Sequence, residues 1–433
     1  MKKKFALSWL KIIEYLFYIF VFSLPWQTKL ILRPSATSFN EISLYVSQVI
    51  LLFVLVAFFA YKFRQRSVTE KISALWISLA GLEICVLASF FWAPDQILAF
   101  YHYILWLAAI GLFYLLREGI AASEYDEGML NKTKVIFVFL SSLFFQAGLA
   151  VYQFLTQSTP VNKYLGLAAH QADVAGTSVI EAASGRWLRA YGGMDHPNVF
   201  GGVLVIALII TAYLLARKKI LSSRLEIAES IFLFVFYFIA LFALFFTFSR
   251  AAWLAFSLSS LLLFIYFLIQ KDRWIIGRFL ALVFFSLVML FIAAAPYRDL
   301  CQARISGESR LEKKSIEDRR LYLSESTDVI KKNWLLGVGI GNYPSALEQG
   351  GAEKKAIWDY QPVHNVFLLL WSESGILALI FFVSFLILLI KKDRRTAFAG
   401  IFLTALIILM LFDHWLISLP FGIIFLFLVL GLV

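Results

Sequence analysis

The sequence predicts an all-α polytopic integral membrane protein of about twelve transmembrane helices with a partly helical external cap. Three observations predict it. Of 433 residues, 61% are hydrophobic and only 15% charged, against roughly 45–50% and about 25% in soluble chains, and mean hydropathy is +0.81. Apolar runs able to cross a hydrocarbon core of about 30 Å recur along the whole chain. Aromatic residues reach 17%, with 44 Phe, a composition that suits lipid-facing helices and interfacial belts. A soluble enzyme is excluded. The formal charge of +11 is explained by basic inner loops rather than by nucleic acid.

The chain begins Met1-Lys2-Lys3-Lys4 before an apolar stretch, and no small-x-small cleavage site follows at Ser23-Leu24-Pro25-Trp26. A retained first helix with a cytoplasmic N-terminus is therefore expected. Apolar runs then fall near 12–26, 44–61, 72–92, 101–116, 135–155, 198–215, 228–247, 251–269, 275–295, 366–390, 396–412 and 416–433. Alternate connections are basic: Lys2, Lys3, Lys4 and Lys11; Lys62, Arg64, Arg66 and Lys71; Arg117, Lys132 and Lys134. Arg217, Lys218, Lys219 and Arg224 follow, then Lys271, Arg273 and Arg278, then Lys391, Lys392, Arg394 and Arg395. Those 22 cations face 6 in the opposite connections, apart from 296–365, which exceeds the roughly 60 residues over which loop charge orients a chain. Both termini are expected in the cytoplasm.

Three parts follow: a bundle over 1–295 that includes outer loop 156–197, an external cap over 296–365, and three more helices over 366–433. Loops beyond about 12–15 residues usually carry function. In the cap, Arg319 to Asn333 has helical texture and stops at Gly337-Val338-Gly339-Ile340-Gly341-Asn342. The two cysteines, Cys85 and Cys301, give neither a disulfide framework nor a CxxC metal site.

All five histidines (His102, His170, His196, His364 and His414) lie on or near the outer side, which directs attention there. Arg189-Ala190-Tyr191-Gly192-Gly193-Met194-Asp195-His196-Pro197-Asn198 leads into the sixth helix. Pro197 suits a first turn, and Asp195, His196 or Asn198 could cap it and leave N–H groups for an anion. A plain helix start with an interfacial arginine is the competing reading. Arg250 sits in the tight turn between the seventh and eighth helices. Its guanidinium either forks onto phosphate or simply snorkels. His364, before the tenth helix, suits a general base or phosphate ligand, although interfacial histidines are often structural. Glu373 lies nine residues on, about 13.5 Å deeper at the helical rise. Glu83 is also inside a span. Carboxylates there are functional or pack against a partner helix. No outer segment carries Asp-x-Asp, and Walker A, dinucleotide and HExxH motifs are missing. No matching pair of interrupted helices suggests a transporter.

These residues resemble the O-antigen ligase and polymerase superfamily of bacterial inner membranes, over the whole topology and most strongly from about Arg189 to Gly375. The Arg189 to Asn198 stretch looks like the family's Arg-containing loop and helix start, and Arg250 with Leu254 matches its Arg-x3-Leu. Gly337-x-Gly339-x-Gly341-Asn342 is similar to its Gly-x-Gly turn, and His364, Asn365 and Gly375 match its closing spacing. Ala378 stands where the ligase form carries Gly, Thr or Tyr, so the subfamily stays open.

The resemblance implies transfer of a glycan from undecaprenyl diphosphate to a hydroxyl of a glycan or lipid acceptor. The transfer would be inverting, without metal, nucleotide or other cofactor, at the outer face of the inner membrane. Arg189, Arg250 and His364 are the implied catalytic groups. Arg319 or Arg320, His196, Asn198, Asn365 and Glu373 would help to hold substrate, with membrane lipid as a further partner and no nucleic acid. A polymerase would use a second lipid-linked repeat, and its loops often carry Arg-x10-Gly, a pattern that neither long loop shows. A protein glycosyltransferase is a third possibility. A lipid-linked oligosaccharide flippase is the reading from another class, and it would place cations inside the bundle.

Overall fold

A computed structural model describes residues 2–37, 39–65, 73–121, 129–218, 223–350, 356, 359–392 and 397–432. Arg66, Lys71, Lys219, Arg394 and Arg395, counted above toward the inner side, lie outside the described residues. Each apolar run is met by a helix. These are α1 (Lys2–Ser23), α2 (Val46–Gln65), α3 (Ala74–Ser89), α4 (Gln96–Ala121), α5 (Lys132–Thr156) and α6 (Pro197–Arg217). They continue with α7 (Arg224–Phe246), α8 (Arg250–Gln270), α9 (Arg273–Ala294) and, after the cap helices α10 (Arg298–Ser306), α11 (Arg310–Asn333) and α12 (Tyr343–Gly350), with α13 (Val366–Lys392). The last two runs form α14 (Ala397–Phe412), α15 (Trp415–Ser418) and α16 (Pro420–Leu432). Nine helices among the described residues are long and apolar enough to cross a membrane, and the protein is a multi-pass membrane protein. α11 begins nine residues before the helical texture noted in the sequence.

Two hairpins were not expected from the hydrophobic pattern. β1 (Lys29–Arg33) pairs antiparallel with β2 (Ile42–Tyr45), and β3 (Val179–Ala182) with β4 (Gly185–Leu188). Strands of four or five residues leave too little alternation to be read.

The innermost helix is α6. Val199 through Ile210 are all buried, and α7, α8 and α9 pack around it. Gly201 and Gly202 permit that closeness: a Cβ on Gly201 would stand 3.0 Å from Ala252, and one on Gly202 only 2.6 Å from Trp415. Small residues play this part in membrane bundles because lipid offers no hydrophobic drive and contact distance decides packing.

The fold departs from simple spans in α13, which breaks at Gly375 (φ 81°, ψ 175°). The last run also breaks, at Leu419 between α15 and α16. Two helices among the described residues are therefore interrupted, a feature that the hydrophobic runs of the sequence did not reveal. A break at this depth frees backbone groups that lipid cannot satisfy. The glycine loop after α11 supplies the partners. Val338 N and Gly339 N donate to Ser372 O and Glu373 O, each at 2.8 Å, and Ile376 N donates to Trp334 O at 3.0 Å. Asn342 locks the loop to the start of α4 through Asp95 N and Asp95 O at 2.8 and 3.2 Å.

Gly375→Ala is expected to lower the unfolding midpoint in detergent, because its Cβ would meet Leu335 O at 2.0 Å. The φ/ψ pair also belongs to a region that is essentially glycine-only, which adds about 1–3 kcal/mol of strain. Gly148→Ala, where nothing lies within 4 Å of the new Cβ, serves as the control and should leave the midpoint unchanged or slightly raised. Equal midpoints for both variants would contradict this account of the break.

Candidate active site

Polar side chains gather at one end of the bundle, where the loop bearing β3 and β4, the α7–α8 turn, the cap and the α14–α15 turn meet. Arg189 follows β4 directly, its backbone fixed by Arg189 N to Ser178 O at 3.2 Å and Ala190 N to Phe246 O at 3.0 Å. The guanidinium is 5% exposed. Nε donates to Thr247 O at 2.7 Å, Nη1 to Ser178 Oγ at 2.8 Å and Nη2 to Asn198 Oδ1 at 2.7 Å. Burial, and then the positive charge of Arg304, push its pKa down.

Asn198 is the second residue of α6, behind Pro197, and His196 caps the helix by accepting from Asn198 N through Nδ1 at 3.1 Å. Of the three caps considered from sequence, His196 is the one used. Burial and the Arg189 charge lower its pKa to about 3, consistent with a neutral ring whose Nδ1 accepts. Asn198 Nδ2 donates to Asp413 Oδ2 at 3.0 Å. Asp413 directly follows α14, and its Oδ1 accepts from His414 N at 2.8 Å. His364 Nδ1 stands 3.6 Å from the same Oδ1, too long for a hydrogen bond. Burial alone would raise the Asp413 carboxyl, but the neighbouring His364 ring, and then His414 and His196, hold it well below the usual carboxylate range. Tyr322 of α11 stacks on the other side of His364, with ring centroids 5.9 Å apart.

A second cluster begins at the α7–α8 turn. Phe248 adopts φ 48°, uncommon for a bulky residue. Two successive carbonyls of this turn each accept from an arginine: Thr247 O from Arg189, and Phe248 O from Arg304 Nε at 2.8 Å. The buried Glu312 carboxylate bridges Arg304 Nη1 and Arg250 Nη2, the latter at 3.1 Å.

Between these clusters lies a polar cavity of about 280 Å³. Arg189, Arg304, Arg319, His196, Asn198, Glu312, Tyr322 and His364 are among its lining residues. Five of the residues proposed from sequence thus meet in one place: Arg189, His196, Asn198, Arg319 and His364. Four do not line it. Arg250 stands behind Glu312, and the Arg320 side chain is exposed on α11. Asn365 starts α13, accepting from Leu368 N at 3.0 Å and donating to Leu411 O at 3.3 Å. Glu373 is buried under the glycine loop, where its Oε1 accepts from Tyr343 N at 3.3 Å.

Sequence reasoning missed Arg304, Glu312, Tyr322, Asp413 and His414 as members of the cluster. A signal existed for the last two: Asp413-His414 is a titratable pair in the short turn between two apolar runs. Nothing distinguished Arg304 from the other cap cations. His364, Asp413 and His414 also bring three potential ligand atoms within 4.8 Å of one another, where no metal was expected.

The arrangement suits a reaction that develops negative charge on a phosphate-type group beside a site of proton transfer. Fixed guanidinium groups stabilise such charge, and an imidazole next to a carboxylate takes a proton readily. No curated protein matches the chain. Residues 233–383 match the family model described as O-antigen ligase, a segment that runs from within α7 past the α13 break and holds Arg250, Arg304, Glu312, Arg319, Tyr322 and His364. That match covers about a third of the chain and, in a multi-pass helical fold, supports a similarity to the O-antigen ligase/polymerase superfamily.

Proposed function

We propose that the protein transfers a glycan from undecaprenyl diphosphate to an acceptor hydroxyl at the outer face of the bacterial inner membrane, as a ligase. The observation that carries this reading is the cavity itself, which is lined by Arg189, Arg304 and Arg319 together with His364. The acceptor oxygen attacks the anomeric carbon from the face opposite the diphosphate. The bond from that carbon to the diphosphate oxygen breaks with inversion, and the lipid diphosphate leaves. His364 takes the acceptor proton, and the Asp413 carboxylate 3.6 Å away stabilises the imidazolium that forms. The arginines neutralise charge on the leaving group, with Arg250 acting through Glu312 and His196 and Asn198 shaping the wall. Asn365 and Glu373 act as positioning residues, through the start and the break of α13. Arg320 has no assigned role.

A lipid donor also needs a place for its chain. An apolar cavity of about 450 Å³ lies between α7, α8, α9 and α10, lined by Leu241, Trp253, Phe291 and Ile305 among others. α8 begins with Arg250 and α10 carries Arg304, so an isoprenoid chain in this cavity fits a diphosphate at the arginines.

Purified protein, an undecaprenyl diphosphate-linked glycan and EDTA, with acceptors supplied one at a time, test the reading. His364→Ala should reduce transfer by roughly 10²–10⁴-fold, the usual worth of a general base. Transfer to a lipid core or other terminal acceptor identifies a ligase, and transfer only to a second lipid-linked repeat identifies a polymerase. Full activity of His364→Ala refutes the assignment of the base. Lipid scrambling in liposomes without transfer to any acceptor would replace the enzyme with a flippase.

The arginines separate by position. Arg304→Ala should lower transfer by about 10²–10³-fold, the cost of removing one preorganised donor. Arg320→Ala should stay within about twofold of wild type, as surface substitutions do. Equal losses in the two variants, measured at saturating acceptor, would show that the cavity is not where the diphosphate binds.

A further inference from the structure

We propose that His364, Asp413 and His414 form a binding site for a divalent transition metal of the zinc class, and that occupancy of this site inhibits transfer by holding His364. Three ligand atoms, one per side chain, already lie within 4.8 Å of one another, and the His364 Nδ1 to Asp413 Oδ1 distance is 3.6 Å. A tetrahedral zinc with bonds of 2.0–2.2 Å spaces its ligands about 3.4 Å apart, so this pair needs almost no movement. Two imidazoles and one carboxylate are a common zinc set that leaves a fourth position open.

The surroundings add a second observation. Metal-bound histidines and carboxylates are oriented by outer hydrogen bonds, and both kinds are present. His414 Nδ1 is 2.6 Å from Ser418 Oγ, and Asn198 Nδ2 holds Asp413 Oδ2 at 3.0 Å. His364 Nδ1 has no hydrogen-bond partner although the atom is buried. Of the three, His364 also lines the polar cavity. Arg189 and Arg319 line the same cavity and repel a dication, so the site is weaker than a structural zinc centre and its occupancy is reversible. Inhibition rests on the transfer reading above; metal binding does not.

The experiment uses untagged full-length protein in detergent, freed of metal with EDTA and then titrated with zinc alone, with bound metal measured by calorimetry and by elemental analysis after desalting. One equivalent is expected, reduced at least tenfold in affinity by His414→Ala and by Asp413→Asn and retained in His170→Ala, whose histidine lies elsewhere. A melting curve of each variant without metal identifies any that fails to fold, and His414→Ala alone then decides. In the transfer assay, zinc should suppress wild-type activity, EDTA should restore it, and whatever transfer His414→Ala retains should resist inhibition by zinc. Absence of a stoichiometric site, or binding unchanged in both variants, overturns the site. Binding without inhibition, or stimulation by zinc, overturns the inhibitory role. If the wild-type protein transfers nothing under any condition, the transfer reading fails while the binding titration still decides the metal site.

Discussion

The loop-rich end of this protein depends on how a buried guanidinium is satisfied. Arg189 reaches the α7–α8 turn through Thr247, the β3 hairpin through Ser178 and the start of α6 through Asn198. A hydrogen bond to a charged group contributes about 1.5–3 kcal/mol, so these segments do not drift independently. The link through Asn198 has a direction. Its carbonyl oxygen faces the arginine and its NH₂ faces Asp413; a flipped amide would set donor against donor and acceptor against acceptor. Cation, amide and carboxylate thus form a chain that ends at His364. The α6 start, the α14 end and the α13 start are held in register by it.

The depth of His364 is set from below. It precedes α13 by two residues, and the first half of that helix stops at Gly375. The glycine loop caps this half-helix by donating to Ser372 O and Glu373 O. Its closeness needs bare backbone: a Cβ on Gly337 would meet the Glu373 carbonyl carbon at 2.3 Å, and one on Gly341 the His102 ring at 2.2 Å. The cap is therefore no free-standing lid over the bundle. Its loop is built into the bundle interior, beside α3, α4 and α13, while α11 places Tyr322 and Arg319 around the cavity. One continuous segment fixes both the floor under the histidine and the wall beside it.

Legibility in the sequence followed the range of each interaction. Helices of 20 or so apolar residues and their alternation with basic loops are local patterns, and all of the expected runs are helical. Pro197 behind His196 is a local start signal, and the helix starts there. Arg189, His196, Asn198, Arg319 and His364 stood out as polar residues beside long apolar runs. Contacts that join distant segments left no local trace. The pairing of Asn198 with Asp413 spans 215 residues, and that of Arg250 with Glu312 spans 62. The break in α13 was hidden for the same reason. Gly375 reads as one tolerated glycine in an apolar helix, and its conformation is decided by the loop ending at Asn342.

The distribution of charge explains how so many arginines are tolerated near low-dielectric protein. Arg304 disfavours the charged form of Arg189, and Arg250 that of Arg304, and Coulomb repulsion strengthens steeply away from water. Glu312 offsets it by lying between Arg304 and Arg250, and because it belongs to α11 it also anchors the cap to α8 and α10. The cation array is thus neutralised in part by the protein's own carboxylate. Under the proposed reading, a diphosphate exchanges with or adds to an existing anion instead of entering an uncompensated positive field. Burying new charge costs several kcal/mol per ion, so exchange is the milder route. It also makes the position of α11 sensitive to the anion held beside it, because Glu312 is shared between the arginines and the helix that carries it.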